Sequence, residues 1–229
     1  MSSFTRLAFS SIGKKVLMAA TGAGLCGFLV THLAGNLILF AGPKAYNAYA
    51  HSLESNPLLL PAEFALLGLF LAHIALAMLL TMENGNARPV AYAYEGYGFG
   101  SGKGGRNPFN WTMLYTGLYM LAFVLFHLLT FKFTDYWKMP HPDAQGYRDF
   151  YHLVQNTFQD SRYAWFYVVS MVILGFHLRH GFLALFRSTG LYGKKYTEAL
   201  DLLAMLFAGA IAGGYIALPL WFNVLHGGM

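Results

Sequence analysis

Long runs of apolar residues, separated by short polar segments, divide this chain into five blocks. Each block is long enough to cross a bilayer as a helix, which takes about 20 residues. The runs are continuous and lack the alternation of membrane barrel strands, so they predict helices. The predicted spans are residues 16–40 (span I), 58–82 (span II), 111–131 (span III), 164–186 (span IV) and 202–224 (span V).

Helix-breaking residues occupy the connections between these spans. They are Gly42-Pro43 and Asn56-Pro57 before span II, a glycine-rich stretch at 96–105 before span III, and Pro140 with Pro142 before span IV. The pattern therefore predicts an all-α integral membrane protein with one domain over residues 1–229. We expect the first four spans to form a helical bundle.

The composition agrees with the membrane class. Charged residues make up 11% of the 229 residues and hydrophobic residues 56%, whereas a soluble domain carries about 25% charged residues. The net charge of +5 does not indicate a nucleic-acid partner, because the basic residues form no stripe with interleaved aromatics. The single cysteine, Cys26, excludes an intramolecular disulfide and a cysteine-ligated cluster within the chain.

The basic residues are unevenly distributed between the two ends of the spans. With the N-terminus inside, nine lie on the cytoplasmic side and five on the outer side, so the positive-inside rule predicts this orientation in a bacterial-type inner membrane. The inner residues are Arg6, Lys14, Lys15, Arg88, Lys103, Arg106, Arg187, Lys194 and Lys195, and the outer ones are Lys44, Lys132, Lys138, Arg148 and Arg162.

Four histidines lie singly in the apolar spans, one in each of spans I to IV. A bilayer offers no water to an imidazole, so a histidine in a span is a functional candidate. One in each of four spans indicates two bis-histidine sites, for which haem is the natural occupant. The four are His32, His73, His127 and His177.

Helix direction sorts these histidines by depth. At 1.5 Å per residue, His32 and His127 both lie roughly 24 Å from the inner edge, in the outer half. His73 and His177, on spans that run inward, lie toward the inner half. In a four-helix bundle with span I opposite III and span II opposite IV, they form two pairs. The outer pair also shares a local frame, T-G followed by nine residues and histidine, which begins at Thr21-Gly22 and at Thr116-Gly117.

Several alternatives remain open for these residues. His180, three residues after His177 on nearly the same face, is the competing fourth ligand. Each histidine could instead serve only in hydrogen bonds between helices. Small residues near the histidines would admit a flat macrocycle or would simply allow close helix packing; they are Gly22, Gly24, Gly27, Gly35, Gly117, Gly175 and Gly181.

Four motifs, in their order along the chain, resemble those of a known family. They are T-G-x9-H ending at His32, F-L-A-H-I-A-L-A-M around His73, a second T-G-x9-H ending at His127, and H-x3-G from His177 to Gly181. From Ser11 to about Phe222 the chain resembles the single-polypeptide, five-helix, di-haem cytochrome b subunit of succinate:quinone oxidoreductases (succinate dehydrogenase or fumarate reductase). Within this resemblance, the glycine four residues later selects His177 over His180.

The resemblance implies a function that composition does not. A subunit of this kind anchors a flavoprotein and an iron–sulfur protein on the cytoplasmic face, and it holds two b haems. It exchanges electrons with a membrane quinone, often menaquinone, near the outer haem. The dicarboxylate chemistry of the tricarboxylic acid cycle belongs to the flavoprotein. A dimer of such complexes is a further expectation.

A quinone site also needs a proton donor and acceptor. His51 and Glu54 lie three residues apart between spans I and II, on one face if the segment is helical. Glu54 matches an acidic position of the family, and Glu63 is a second candidate; the alternative is a solvated loop carboxylate. Some family members carry a glutamate two residues before the fourth ligand, where this chain has Gly175.

Haem propionates favour cations and hydrogen-bond donors at the membrane edge. On the inner side the candidate donors are Lys15, Arg187 and the indole of Trp111.

Two other functions compete with that of a succinate:quinone oxidoreductase subunit. The first is a di-haem cytochrome b of another oxidoreductase, such as formate dehydrogenase or hydrogenase. The second is a haem-free transporter or structural anchor, which would use the histidines for helix contacts.

Overall fold

The computed structural model describes residues 10–86, 108–134, 142–193 and 195–225, without the side chains of residues 85, 86 and 108–111. Within these ranges the chain is helical and contains no strand. The helices are α1 (Ser11–Leu37), α2 (Pro43–Glu54), α3 (Leu59–Asn86), α4 (Pro108–His127), α5 (Phe150–Gln159), α6 (Ser161–Ser188) and α7 (Thr197–Leu220).

Five of these helices are long and apolar enough to cross a membrane, as predicted. They are α1, α3, α4, α6 and α7, and three continue into a short 3₁₀ or π turn at the C-terminal end. Helices α1 and α6 begin five and three residues before the apolar runs. Their polar N-caps explain the difference: Gly13 N–H donates to the Ser10 hydroxyl at 3.0 Å, and Arg162 N–H to the Asp160 carboxylate at 2.9 Å.

Contacts between the helices define their order around the bundle. Helix α1 packs against α3 and α6, whereas α4 packs against α6 and more narrowly against α3. Helices α1 and α4 therefore stand on one diagonal and α3 and α6 on the other. The fifth long helix, α7, packs along α6 and touches α1.

The two short helices close one end of the bundle. Helix α2 packs against α5, and α5 packs against the C-terminal turn of α7. Helix α5 buries Leu153, Val154 and Phe158 on one side. We call α2, residues 142–149 and α5 together the cap.

The tightest packing lies between α6, α7 and α1. Small residues allow it, because helices in a bilayer associate through close contact rather than through a hydrophobic driving force. A methyl group at Gly214 of α7 would meet the Leu33 side chain of α1. Helix α3 differs, since none of its residues between 59 and 84 is buried. One side of the bundle is thus firmly packed and the other lightly.

Three of the glycines near the histidines serve helix packing. A methyl group at any of them would approach the side chain of a neighbouring helix to 3.1 Å or less: Gly24 at Leu69, Gly35 at Tyr49 and Gly175 at Ala212. By contrast, such a group would meet no atom within 4 Å at Gly27 or Gly181. The glycines therefore do not share one role.

We predict that Gly175→Leu destabilises the contact between α6 and α7. A methyl group at this position would lie 3.1 Å from the Ala212 Cβ, so a larger side chain must push α7 away. Overpacking of this kind costs about 1–3 kcal/mol. The thermal unfolding temperature of the detergent-solubilised protein should fall. Gly209→Leu is the matched control, because this glycine of α7 is exposed; equal stability of the two variants would contradict the packing assignment.

Candidate functional site

Two of the four span histidines meet across the bundle. His32 of α1 and His127 at the end of α4 lie with their ring centres 6.0 Å apart and their planes at 84°. Both side chains are half-buried. We call this pair the cap-side level, because α1 continues from it towards α2. The structure therefore brings together two residues that the sequence places at the same depth.

The spacing of the cap-side pair suits a shared metal ion. Two imidazoles bound on opposite sides of one ion, with metal–nitrogen bonds of about 2 Å, place their ring centres roughly 6 Å apart. The observed separation of the ring centres, 6.0 Å, agrees with this value. The residues present therefore fit an iron bound by two histidines.

Aromatic side chains surround the cap-side level. Phe28 stacks on His32 with ring centres 5.2 Å apart, and Phe123 stacks on His127 at 5.9 Å. The Tyr167 hydroxyl lies 3.4 Å from the His127 Nδ1 atom. The Tyr215 hydroxyl is bonded instead to the carbonyl of Leu29 at 3.0 Å. This setting is apolar and suits a large planar ligand.

The other two histidines lie one level further from the cap, each beside a threonine. The His73 Nδ1 atom is 3.1 Å from the Thr21 Oγ1 atom. The Thr21 hydroxyl lies 3.0 Å from the backbone carbonyls of Leu17 and Met18 in its own helix, so it donates its proton there. The oxygen then accepts the Nδ1–H of His73, which leaves the Nε2 lone pair available for a metal.

His177 is held in the same way by the second half of the chain. Its Nδ1 atom lies 3.1 Å from the Thr116 Oγ1 atom, and the Thr116 hydroxyl donates to the carbonyl of Thr112 at 2.7 Å. His73 and His177 thus have matching supports, a threonine on the preceding long helix. We call them the far-side level.

The glycine beside each threonine gives the imidazole room. A methyl group at Gly22 would lie 3.3 Å from the His73 Cε1 atom, and one at Gly117 would lie 3.5 Å from the His177 Cε1 atom. The repeated T-G pairs therefore receive the histidine of the following span, not the histidine of their own helix. The sequence shows the repeated T-G pairs but not this role, because the histidine that each pair contacts lies on another helix.

The two levels follow from helix geometry. Eleven residues separate Thr21 from His32, and Thr116 from His127. Eleven residues are about three turns, so threonine and histidine share one face of the helix, roughly 16 Å apart. Helices α1 and α4 thus each contribute a ligand candidate to one level and a supporting hydroxyl to the other.

The surroundings of the two rings distinguish His177 from His180. Thr116 and Gly117 accommodate the His177 ring, whereas no side chain of the described residues forms a hydrogen bond with the His180 ring. This geometry favours His177 as the ligand candidate.

Clusters of three or more metal-binding side chains do not occur among residues 10–86, 108–134, 142–193 and 195–225. A haem requires only two axial ligands from the protein, because its macrocycle supplies the other four. The histidine pairs are sufficient for that purpose. They would not suit a structural zinc ion, which takes four protein ligands.

The cap contains the residues predicted for proton exchange. The segment Pro43–Glu54 is helical, so His51 and Glu54 share a face. The His51 ring stacks on Tyr147 with ring centres 4.1 Å apart, and Arg148 donates to the Glu54 carboxylate at 2.6 Å. Both candidates are therefore in contact with consecutive residues of the 142–149 segment.

A buried asparagine holds the cap together, and sequence reasoning missed it. Asn47 is fully buried, and its amide donates to Asp143 at 3.1 Å and to Asp149 at 3.0 Å. Its carbonyl accepts the backbone N–H of Tyr151 at 2.9 Å. His152 also contacts Asp149 at 2.6 Å. The partners are about 100 residues away in sequence, so no local pattern marks this site.

These contacts lower the pKa of two carboxyl groups. Burial alone would raise the pKa of Asp149, but hydrogen bonds from Asn47 and His152 outweigh it, and the net shift is downward. For Asp143, desolvation also acts upward, while donors from Tyr147, Asn47 and Gln145 bring the pKa below its usual value. The cap is thus built around ionised aspartates.

The residues predicted to contact propionates have other surroundings. Lys15 is exposed, and the Arg187 guanidinium lies over the Tyr192 ring at 4.7 Å. The Trp111 side chain is outside the described residues. At the same end, Lys14 of α1 forms an ion pair with Glu83 of α3. Glu63, the second quinone candidate, forms an ion pair with Lys132.

Comparison of the chain with protein-family models, curated proteins and solved structures finds no match. The functional assignment therefore depends on the chain's own residues. Its strongest elements are the two histidine levels and the cap.

We predict that acid loosens the cap before it affects the spans. A carboxyl group with a lowered folded pKa stabilises the fold above its unfolded pKa, about 4 for aspartate, and this contribution is lost as pH falls through the lowered value. Asp143 and Asp149 both have lowered pKa values. Below about pH 4, backbone amides of residues 143–154 should exchange faster, as measured by hydrogen–deuterium exchange, while those of α6 stay protected.

The Asn47→Ala variant should loosen the same segment at pH 7. It removes one donor from the buried Asp149 carboxylate and one from the partly exposed Asp143 carboxylate, and loss of the contact to the buried group costs about 1–3 kcal/mol. Ser52→Ala is the matched control on α2, since the Ser52 hydroxyl donates only to the carbonyl of Tyr49 in its own helix. Unchanged exchange in Asn47→Ala would show that the asparagine does not hold the cap.

Proposed function

We propose that this chain is the membrane anchor and electron-transfer subunit of a succinate:quinone oxidoreductase. In this proposal it holds two b haems and connects a cytoplasmic flavoprotein and iron–sulfur protein with a membrane quinone. The observation that carries it is the pair of histidine levels. His32 and His127 are spaced for one shared ion, and His73 and His177 are each oriented by a threonine.

The chain's own residues would define both haem sites. His32 and His127 would be the axial ligands at the cap side, and His73 and His177 those at the far side. When bound, haem would supply a centre that accepts and releases single electrons. The aromatic rings of Phe28 and Phe123 stack on the two histidines and give the cap-side level an apolar lining. Ligand identity, burial and hydrogen bonding then set the potential of each site.

The cap would supply the quinone site beside the cap-side level. Gly35, one turn after His32, contacts the Tyr49 hydroxyl of α2, so α2 lies directly beyond that histidine. His51 and Glu54 follow on the same helix. An ionisable pair there would take up or release the protons that accompany quinone reduction or oxidation. The contact with Arg148 orients the Glu54 carboxylate.

The opposite end of the bundle suits cytoplasmic partners. The positive-inside rule assigns the inner basic residues of the sequence to the cytoplasmic side, which is this end of the bundle in the proposed orientation. Those among the described residues include Lys14, Lys15 and Arg187. An iron–sulfur protein docked there would lie nearest to the far-side level. Electrons would then pass from the cytoplasmic end towards the cap, or in reverse during fumarate reduction.

The proposal predicts two b haems per chain. A pyridine haemochrome assay counts them, and a redox titration resolves two potentials. His32→Ala or His127→Ala should remove the cap-side haem, and His73→Ala or His177→Ala the far-side haem. The matched control is His180→Ala, one turn from His177, which should retain both haems.

The outcomes separate the alternatives. A protein purified without haem would support a transporter or structural anchor and reject the proposal. Two haems without any association with a flavoprotein and iron–sulfur protein would favour a cytochrome b of another oxidoreductase. Loss of a haem in His180→Ala but not in His177→Ala would reassign the fourth ligand.

We further predict that Glu54→Gln slows quinone turnover without loss of haem. Removal of a general acid or base lowers the rate by about 100-fold or more. Turnover of a water-soluble naphthoquinone by the intact complex measures this. Glu63→Gln, which removes the partner of Lys132, should have little effect. Normal turnover in Glu54→Gln would exclude Glu54 from the quinone site, and a slow Glu63→Gln would assign the role to Glu63.

A further inference from the structure

The far-side histidines share a contact with a threonine hydroxyl that the cap-side histidines lack. Each Nδ1 atom lies 3.1 Å from a threonine hydroxyl on the preceding long helix, Thr21 for His73 and Thr116 for His177. The two contacts join different helix pairs, α1 with α3 and α4 with α6. The same contact at the same distance therefore occurs in both halves of the chain.

Each threonine is itself fixed as an acceptor. The Thr21 hydroxyl donates its proton to the carbonyl of Leu17 or Met18 in its own helix. The Thr116 hydroxyl donates to the carbonyl of Thr112 in the same way. The hydroxyl oxygen therefore faces the imidazole with a lone pair. An N–H donated from Nδ1 fixes the tautomer and the rotation of the ring, and it increases electron donation from Nε2.

We propose that Thr21 and Thr116 are positioning residues that orient His73 and His177 and increase electron donation to the iron at the far-side level. This inference rests on the proposed function. A stronger donor ligand stabilises ferric over ferrous iron, so the threonines lower the potential of the far-side haem.

The cap-side level provides an internal reference. Its closest equivalent is the Tyr167 hydroxyl at 3.4 Å from the His127 Nδ1 atom, a longer contact to a different residue type. The cap-side ligands have no threonine on a neighbouring helix within hydrogen-bond distance among the described residues. Removal of the two threonines should therefore change one haem and spare the other.

The experiment compares Thr21→Val and Thr116→Val with the wild-type complex. Valine keeps the branched shape but removes the acceptor. The matched control is Thr31→Val on α1, because the Thr31 hydroxyl donates only to the carbonyls of Phe28 and Gly27 in its own helix. Thr21→Ser and Thr116→Ser restore a hydroxyl. The readouts are the two midpoint potentials and the low-spin ferric EPR signal of each haem.

In both valine variants the potential and EPR signal of the far-side haem should shift, the potential towards more positive values. The cap-side signal should stay constant, and serine should restore the wild-type values. If a valine variant instead loses the far-side haem, the serine variant should retain it, since loss of such support weakens retention about 10- to 100-fold. That outcome also supports the proposal.

Two results would overturn it. One is unchanged potentials and spectra in both valine variants with both haems bound. The other is an equal shift in Thr31→Val. Either would leave the proposed function intact, whereas a wild-type protein without haem would end both proposals. The two failures are therefore distinguishable.

Discussion

An imidazole inside a bilayer must find its partners within the protein, and the observed order of the helices meets this requirement. His32 and His127 face each other across one diagonal, and His73 and His177 are placed by hydroxyl groups of the neighbouring helices. An order with α1 opposite α3 and α4 opposite α6 would take His73 and His177 away from their threonines. The packed glycines and the aromatic lining are consistent with the observed order, because they bring the helices close enough for these contacts.

A separation of eleven residues organises both levels. It places threonine and histidine on one face of a helix, three turns apart, in α1 and again in α4. Each of these helices therefore offers a histidine at the cap side and a hydroxyl at the far side. Helices α3 and α6 each supply one histidine to the far side. The chain thus contains the same arrangement twice, with α2 and α5 as corresponding short helices at the cap.

The sequence predicts the five apolar helices well, because they depend on helical rise and apolar length, which are local properties. It also predicts that His51 and Glu54 share a face. The role of Thr21 could not be inferred, since its partner His73 lies on another helix, 52 residues away. Asn47 was missed for a similar reason: an asparagine in a polar helix resembles a solvated residue until its distant carboxylate partners are known. Close packing at Gly175 required the position of α7.

The uneven packing of the bundle makes the threonine of α1 especially important. Helix α6 is held by α7 and α1 along its length, so the direction of His177 is constrained by many contacts. Helix α3 has no buried residue between 59 and 84, so fewer contacts oppose its rotation about its own axis than in α6. Two polar contacts with α1 add to the packing of Leu69 on Gly24: the Thr21 hydroxyl at His73 and the ion pair of Lys14 with Glu83, about ten residues further along α3. Helix α3 can therefore remain largely exposed to lipid and still present its histidine in one fixed direction.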